Sequence, residues 1–134
     1  MLQPKKSKYR KEFRGKRRGV ASRGTEIAFG DFGLKATTCG WVSSRQLEAA
    51  RKKITFSTKR AGKFWLRVFP HKPVTSKPVG VKMGSGKGDI DRHVAVIKPG
   101  MILYEIGGVS KEMAISALTK AGHKLSVRTT IIEK

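Results

Sequence analysis

Lysine and arginine occupy ten of the first 24 positions of the chain, and Glu12 is the only acidic residue among them. Apolar side chains are so few in residues 1–24 that this segment cannot bury enough surface to offset the entropy lost on ordering. We therefore expect an extended arm that becomes ordered only against a strongly anionic partner. A compact domain that carries such an arm is typical of nucleic-acid-binding proteins.

The rest of the chain, residues 25–134, has a core pattern, and a total length of 134 residues is typical of a single domain. The net charge of +21 at pH 7 would make a free compact protein repel itself, so we expect this one to be bound to a polyanion. Cys39 is the only cysteine, which excludes a disulfide framework and a cysteine-based metal site. We expect Cys39 to be a small core residue in a protein of a reducing compartment.

Neither a secretory signal nor a membrane span is predicted. The basic start has no apolar stretch behind it, and the sequence contains no run of about 18 apolar residues. The alternatives for the arm are a solvated tail and a segment that binds an anionic membrane, but the second needs an apolar face. Because Tyr9, Phe13 and Val20 are scattered, nucleic acid is the favoured partner and no membrane is expected.

The basic side chains of the arm are expected to neutralise nucleic-acid phosphates and to release the counterions condensed on them. Binding of this kind is strong and depends steeply on salt concentration. The arm residues predicted to make these contacts are Lys5, Lys6, Lys8, Arg10, Lys11, Arg14, Lys16, Arg17, Arg18 and Arg23.

Hydrophobic periodicity and capping signals predict two helices. The first is expected from about Ser44 to Lys59, where Ser43 and Gln46 match a capping box and Gly62 ends the element. The second is expected over residues 110–121, with a serine as N-cap and a glycine after its end.

Strands are predicted at residues 63–69 and 124–132, with an extended, irregular stretch after the first because of its prolines. Residues 93–98 and 101–106 are predicted to be two strands of a hairpin joined by Pro99 and Gly100. This order indicates an α+β fold: a small, mostly antiparallel sheet with two helices on one face. The arm at 1–24 precedes this domain of residues 25–134, and a loop at about 80–90 protrudes from it.

Residues 49–88 contain eleven basic residues and no acidic one, which is difficult to explain by solubility alone. A charged helix face is often only solvated, but here it continues into a basic strand. On the predicted first helix, one face carries Arg45, Lys52, Lys59 and Arg60, and Phe56 lies among them. For Phe56 the two alternatives are a core position and a platform on which a base stacks.

The strand at 63–69 alternates basic and aromatic residues on one side, where Lys63, Trp65, Arg67 and Phe69 follow one another. Such alternation suits base stacking combined with phosphate contact. The alternative is a strand buried on both faces. We include Lys63, Trp65 and Arg67 among the predicted RNA-binding residues.

A glycine-rich loop follows the prolines and is flanked by lysines. Its backbone N–H groups are of the kind that cradle phosphate. It is not a nucleotide-binding P-loop, because Gly88 follows Lys87 and position 81 is valine. A mobile loop that touches an RNA backbone is the favoured interpretation. The residues of this loop are Lys82, Met83, Gly84, Ser85, Gly86, Lys87 and Gly88.

No catalytic or metal-binding constellation is evident. His71, His93 and His123 lack the spacing of metal ligands. Asp89 and Asp91 have no partner for acid–base or metal chemistry and fit a turn better. We therefore expect no enzymatic activity, no cofactor and no small-molecule substrate.

Several segments together resemble one protein family over essentially the whole chain. The sequence is similar to the bacterial and organellar form of ribosomal protein sixteen of the large subunit. The segments that carry this resemblance are MLQPKKSKYRKEFRGKRRG, AFGDFGLKA, SSRQLEAARKKIT, RVFPHKPVTSKPVGVKMGSGKG and KPGMILYEIGGV.

The resemblance implies an α+β protein that binds large-subunit rRNA and neighbouring large-subunit ribosomal proteins. It also implies a position beside the tRNA corridor near the peptidyl transferase centre, where the protein helps to position aminoacyl-tRNA. The loop at 82–88 and the arm would be closest to that corridor. Because the family pattern begins at Met1, we expect no cleaved presequence, and a location in the bacterial cytoplasm or inside an organelle (mitochondrial matrix or plastid stroma).

Two other classes of protein share parts of this pattern. A non-ribosomal RNA-binding module or RNA chaperone would have the same charge distribution but would tolerate many RNAs. A nucleotide-dependent enzyme would use the glycine-rich loop to bind ATP or GTP, which the broken P-loop pattern disfavours.

Overall fold

The structure is a computed structural model and describes residues 2–134. Within these residues, strands and helices follow one another as β1 (Phe32–Ala36), β2 (Gly40–Ser43), α1 (Ser44–Ser57), β3 (Lys63–Leu66), β4 (Lys72–Ser76), β5 (Asp89–Ile97), β6 (Ile102–Gly107), α2 (Lys111–Gly122) and β7 (Thr129–Glu133).

The strands form two antiparallel sheets. The first has the order β3-β6-β1-β7 and the second the order β2-β5-β4. Helix α1 packs against α2 and against strands of the second sheet, whereas α2 packs against β1 and β7 of the first. The predicted α+β class, with antiparallel strands and two helices, is confirmed.

The predicted hairpin between residues 93–98 and 101–106 is wrong, although both strands exist as β5 and β6. Strand β5 pairs with β2 and β4, while β6 pairs with β1 and β3. Gly100 has a φ of 99° after Pro99, which is the geometry of a type II turn, and such turns splay the flanking strands. After the turn the chain continues beside the end of β1, where the N–H of Gly100 donates a hydrogen bond to the Ala36 carbonyl at 2.8 Å.

Other strand boundaries also differ from the predicted ones. Strand β4 lies in the stretch predicted to be irregular, and its Pro73 is tolerated because β4 is an edge strand. The strand predicted at 63–69 ends at Leu66, and the one predicted at 124–132 begins only at Thr129. Strands β1 and β2 were not predicted, since they are only five and four residues long and each contains a glycine, Gly33 inside β1 and Gly40 at the start of β2.

The core lies between the helices and both sheets, around strand β6, all six residues of which are buried. The Tyr104 hydroxyl donates a hydrogen bond to the carbonyl of Leu47 and so ties β6 to α1. Leu34, Ile54 and Leu118 fill the space between these elements. Cys39 is exposed, so its predicted core position is wrong; it lies in the short connection between β1 and β2, outside the packed layers.

The start of α1 confirms the predicted capping box. The Ser43 hydroxyl accepts the N–H of Gln46 at 3.2 Å, and the Gln46 side chain accepts the N–H of Ser43 at 3.0 Å. The helix ends at Ser57, two residues before the predicted end. Gly62 closes the following turn with a φ of 69°, where an added Cβ would lie 2.4 Å from the Gly107 carbonyl oxygen.

Replacing Ser43 by alanine is expected to lower the free energy of unfolding by about 1 kcal/mol, because an N-cap acceptor is lost. Thermal unfolding of the full chain measures this effect. Ser7→Ala, in the exposed part of the arm, is the control and should leave Tm unchanged. An equal Tm for both variants would contradict the role given to Ser43.

Candidate nucleic-acid interface

One face of α1 and the turn after it carry a row of free cations. Arg45, Lys52, Lys59 and Arg60 are all exposed, as predicted for a binding face. Phe56 is 77% exposed, so its alternative as a core residue is wrong. The ring lies in a shallow depression that Lys52, Lys59 and Arg60 also line. An exposed aromatic ring among cations leaves base stacking as the remaining interpretation of Phe56.

The turn after α1 holds two of these cations in an unusual backbone conformation. Lys59 and Arg60 have φ values of 52° and 64°, in the left-handed region that side chains rarely adopt. The N–H of Arg60 donates to the Thr55 carbonyl at 3.1 Å, and that of Ala61 to the Thr58 carbonyl at 2.9 Å. The backbone of this turn is therefore strained at Lys59 and Arg60. The turn places their two positive charges at the C-terminal end of the helix dipole, where cations are stabilising.

The arm has neither helix nor strand between residues 2 and 24 and lies along the second sheet. The Arg17 guanidinium lies 4.9 Å from the centroid of the Trp41 ring. Further along, the N–H of Ala21 donates to the Pro99 carbonyl at 3.0 Å. The arm cations Lys5, Lys6, Lys8, Arg10, Arg14, Lys16, Arg18 and Arg23 are exposed, and Lys11 and Arg17 are half-buried.

The glycine-rich loop protrudes between β4 and β5, and Lys82–Lys87 are exposed. Gly84, Ser85 and Gly86 all have positive φ values, of 101°, 64° and 97°. The Lys77 ammonium donates to the Gly84 carbonyl at 2.5 Å, and the Lys11 ammonium of the arm donates to the Lys87 carbonyl at 3.1 Å. Within residues 2–134, the backbone N–H groups from Gly84 to Lys87 have no protein acceptor. They are free to bind an anion.

The basic–aromatic row of the third strand is only partly available to a ligand. Lys63 is exposed, but Trp65 is half-buried and stacks on Phe29, with ring centroids 6.1 Å apart and an interplanar angle of 23°. Arg67 is 20% exposed and forms an ion pair with Glu105. The charge of Arg67 is therefore paired with Glu105 within the protein, and Lys63 is the cation of this group that is exposed to a ligand.

Glu105 on β6 connects the segment before β1 to the Arg67 side chain. Its carboxylate is fully buried and accepts N–H groups of Ala28, Phe29 and Gly30 at 2.9, 2.8 and 3.0 Å on one oxygen. Arg67 donates to the other oxygen. Burial alone raises the pKa of Glu105, but the Gly30 N–H, the Arg67 guanidinium and the Phe29 N–H lower it more, so the pKa lies below its ordinary value.

Phe29 and Glu105 were not among the residues predicted from the sequence. A signal for Glu105 was present, since a carboxylate inside the apolar run from Met101 to Ile106 must be paired if the strand is buried. Phe29 carried no such signal, because its position depends on the pairing of distant segments.

A family model described as ribosomal protein L16p/L10e matches residues 4–132 of this chain. The chain belongs to this family. Members of the L16p/L10e family are structural, non-enzymatic proteins of the large ribosomal subunit that bind rRNA and neighbouring ribosomal proteins. This chain is thus a component of the ribosome, in the cytoplasm or in an organelle. The resemblance found in the sequence is confirmed.

Membership in the L16p/L10e family distinguishes a ribosomal protein from a free RNA-binding module. The match includes the arm and the glycine-rich loop as well as the domain. In the part of the chain that the structure describes, no helix is long and apolar enough to cross a membrane. Among the same residues, no group of three or more histidine, cysteine or acidic side chains could hold a metal ion.

Proposed function

We propose that this L16p/L10e chain grips large-subunit rRNA with its arm and with the cationic face of α1. We propose further that its glycine-rich loop extends towards the tRNA corridor near the peptidyl transferase centre. There the loop helps to position aminoacyl-tRNA, while the chemistry of peptide bond formation stays with the RNA. The observation that carries this proposal is the concentration of free cations on the arm and α1, together with unpaired N–H groups in a protruding loop.

The rRNA contacts are made mainly to phosphates. The arm offers exposed Lys and Arg side chains along an extended backbone that is anchored to the domain near Trp41 and Pro99. On α1, the exposed cations around Phe56 suit an RNA segment with one unstacked base. Contacts of this kind fix the register of a protein on folded RNA but depend on shape more than on sequence.

The loop is suited to a phosphate of tRNA or of the rRNA that holds it. Four consecutive backbone N–H groups, from Gly84 to Lys87, lack a protein partner, and the same loop carries the exposed cations Lys82 and Lys87. Backbone N–H groups without a protein partner can bind a phosphate oxygen without base specificity. This lack of specificity is what a protein needs if it must accept every aminoacyl-tRNA.

A photoreactive residue in place of Ser85 tests the tRNA contact. Large subunits that contain this variant are loaded with A-site tRNA and irradiated, and the adducts are identified. We expect a tRNA adduct from position 85 and none from position 120, an exposed site on α2. Adducts from position 85 only to protein or to rRNA far from the tRNA would contradict the proposal.

The double variant Lys82→Gln, Lys87→Gln is expected to bind A-site tRNA about tenfold more weakly in assembled subunits, since two phosphate-neutralising charges are lost. The free energy of unfolding should change by less than about 0.5 kcal/mol, because both side chains are exposed. Filter binding of tRNA and urea unfolding measure the two effects. The control Lys120→Gln, Lys124→Gln removes the same charge elsewhere and should leave tRNA binding unchanged.

A further inference from the structure

Phe29 is an exposed aromatic ring on a backbone segment that buried groups hold in place. The side chain is 61% exposed, although the residue lies between a half-buried Ile27 and a buried Gly30. From this geometry we infer that Phe29 is a preformed stacking platform for one unpaired base of the rRNA. This inference rests on the proposed function and names a site that the arm and α1 do not include.

A buried carboxylate fixes the backbone around Phe29 through hydrogen bonds. Glu105 accepts the N–H groups of Phe29 and of both its neighbours, Ala28 and Gly30. Gly30 sits so close to β6 that an added Cβ would lie 2.6 Å from the Ile106 carbonyl oxygen. The ring is therefore displayed on a segment that cannot shift, which lowers the entropy lost when a ligand stacks on it.

Two side chains of the neighbouring strand support the ring. Trp65 stacks on Phe29 with an interplanar angle of 23°, and the Arg67 guanidinium lies 5.4 Å from the Phe29 centroid. Beside these two contacts Phe29 is still 61% exposed, so a base can stack on the exposed part of the ring. Base–aromatic stacking accepts every base, since all bases have a π-face.

The charges around Phe29 favour a base over a phosphate. Glu26 and Asp31 lie within three residues of it, and both are exposed. These carboxylates repel a phosphate group but not an uncharged base. RNA is favoured over a protein partner because exposed Lys63 begins the same strand as Trp65, in a chain with a net charge of +21.

The test is the affinity of the full chain for protein-free large-subunit rRNA, measured by filter binding over a range of salt concentrations. Phe29→Leu removes the π-face and keeps apolar bulk, and Phe29→Tyr keeps the π-face. We expect Phe29→Leu to bind roughly 5- to 100-fold more weakly at every salt concentration. The slope of log K against log salt should stay unchanged, since no charge is lost. Phe29→Tyr should bind within about twofold of the original chain.

Phe69→Leu is the matched control and should leave rRNA affinity unchanged. Phe69 lies beyond the end of β3 and is not among the predicted RNA-binding residues, and although exposed it stacks on no ring in the described chain. Equal affinity of Phe29→Leu and the original chain would overturn the inference and leave the proposed function standing. Equal weakening by Leu and Tyr would also overturn it, because the loss would then not depend on the ring. Unchanged rRNA affinity of Phe29→Leu, together with loss of a neighbouring ribosomal protein from subunits isolated with this variant, would assign the site to a protein instead. If the original chain itself showed no salt-dependent binding, the proposed function would fail with it.

Discussion

Changing seven arm cations to glutamine is expected to lower the affinity for large-subunit rRNA on the order of a thousandfold at about 0.1 M salt. The slope of log K against log salt should decrease in magnitude by about 0.7–0.9 for each phosphate contact that is lost. The variant keeps Arg17 on the Trp41 ring and the backbone hydrogen bonds of Ala21 and Gly24. The seven residues are Lys5, Lys6, Lys8, Arg10, Lys11, Arg14 and Lys16.

The fold of residues 25–134 should be little affected by this variant. Within the described chain, the substituted side chains make one hydrogen bond to the domain, from the Lys11 ammonium to the Lys87 carbonyl, and that bond is exposed. We expect Tm to stay the same or rise, since the net charge falls and self-repulsion with it. Filter binding and thermal unfolding give the two readouts. A loss of thermal stability in step with the loss of affinity would show that the arm acts through the fold.

Glu105→Gln is expected to lower the free energy of unfolding by about 3–5 kcal/mol. The substitution leaves the half-buried Arg67 guanidinium without its counter-charge and places an amide where three backbone N–H groups converge. Urea unfolding of the full chain measures the loss. The control is Glu48→Gln, which breaks the Glu48–Arg51 pair on α1, where the side chains are 28% and 39% exposed. That pair should contribute less than about 1 kcal/mol.

The Glu105 pair also predicts a pH dependence. The pKa of Glu105 is lower in the folded protein than in the unfolded chain, so the folded state favours the ionised carboxylate. Its stabilisation is complete well above the unfolded pKa of about 4.3 and is lost as the pH falls through the folded pKa. The acid limb of the stability curve should therefore be shallower in Glu105→Gln than in the original chain. Identical limbs would show that Glu105 titrates alike in both states.

The helices were predictable because their signals are local. The capping box of Ser43 and Gln46 and the N-cap Ser110 lie within one turn of the residues that they fix. The division of the strands into two sheets was not predictable, because strand pairing depends on contacts between segments that are distant in the sequence. Pro99 and Gly100 indicated a turn correctly, but the end of β1, more than 60 residues earlier, decided that β6 pairs in the other sheet.

The residues of the candidate interface also fall into those that local sequence predicts and those that depend on distant contacts. Free cations such as Lys52 and Arg18 were predictable, since charge on a flexible or solvated segment needs no tertiary information. Arg67 looked equivalent to them in sequence, but the fold places a buried carboxylate beside it. Phe29 and Glu105 act through contacts across more than 70 residues of chain, which periodicity alone does not reveal.

Sedimentation of a lysate through a density gradient, with this chain followed by antibody at low and high monovalent salt, tests whether rRNA holds the chain in the large subunit. We expect the chain to migrate with the large ribosomal subunit at low salt and to be released only at high salt. The variant without the seven arm cations should be released at lower salt than Glu48→Gln, which keeps the arm. A chain that stays in the light fractions at low salt would contradict the claim that it is held in the subunit by rRNA.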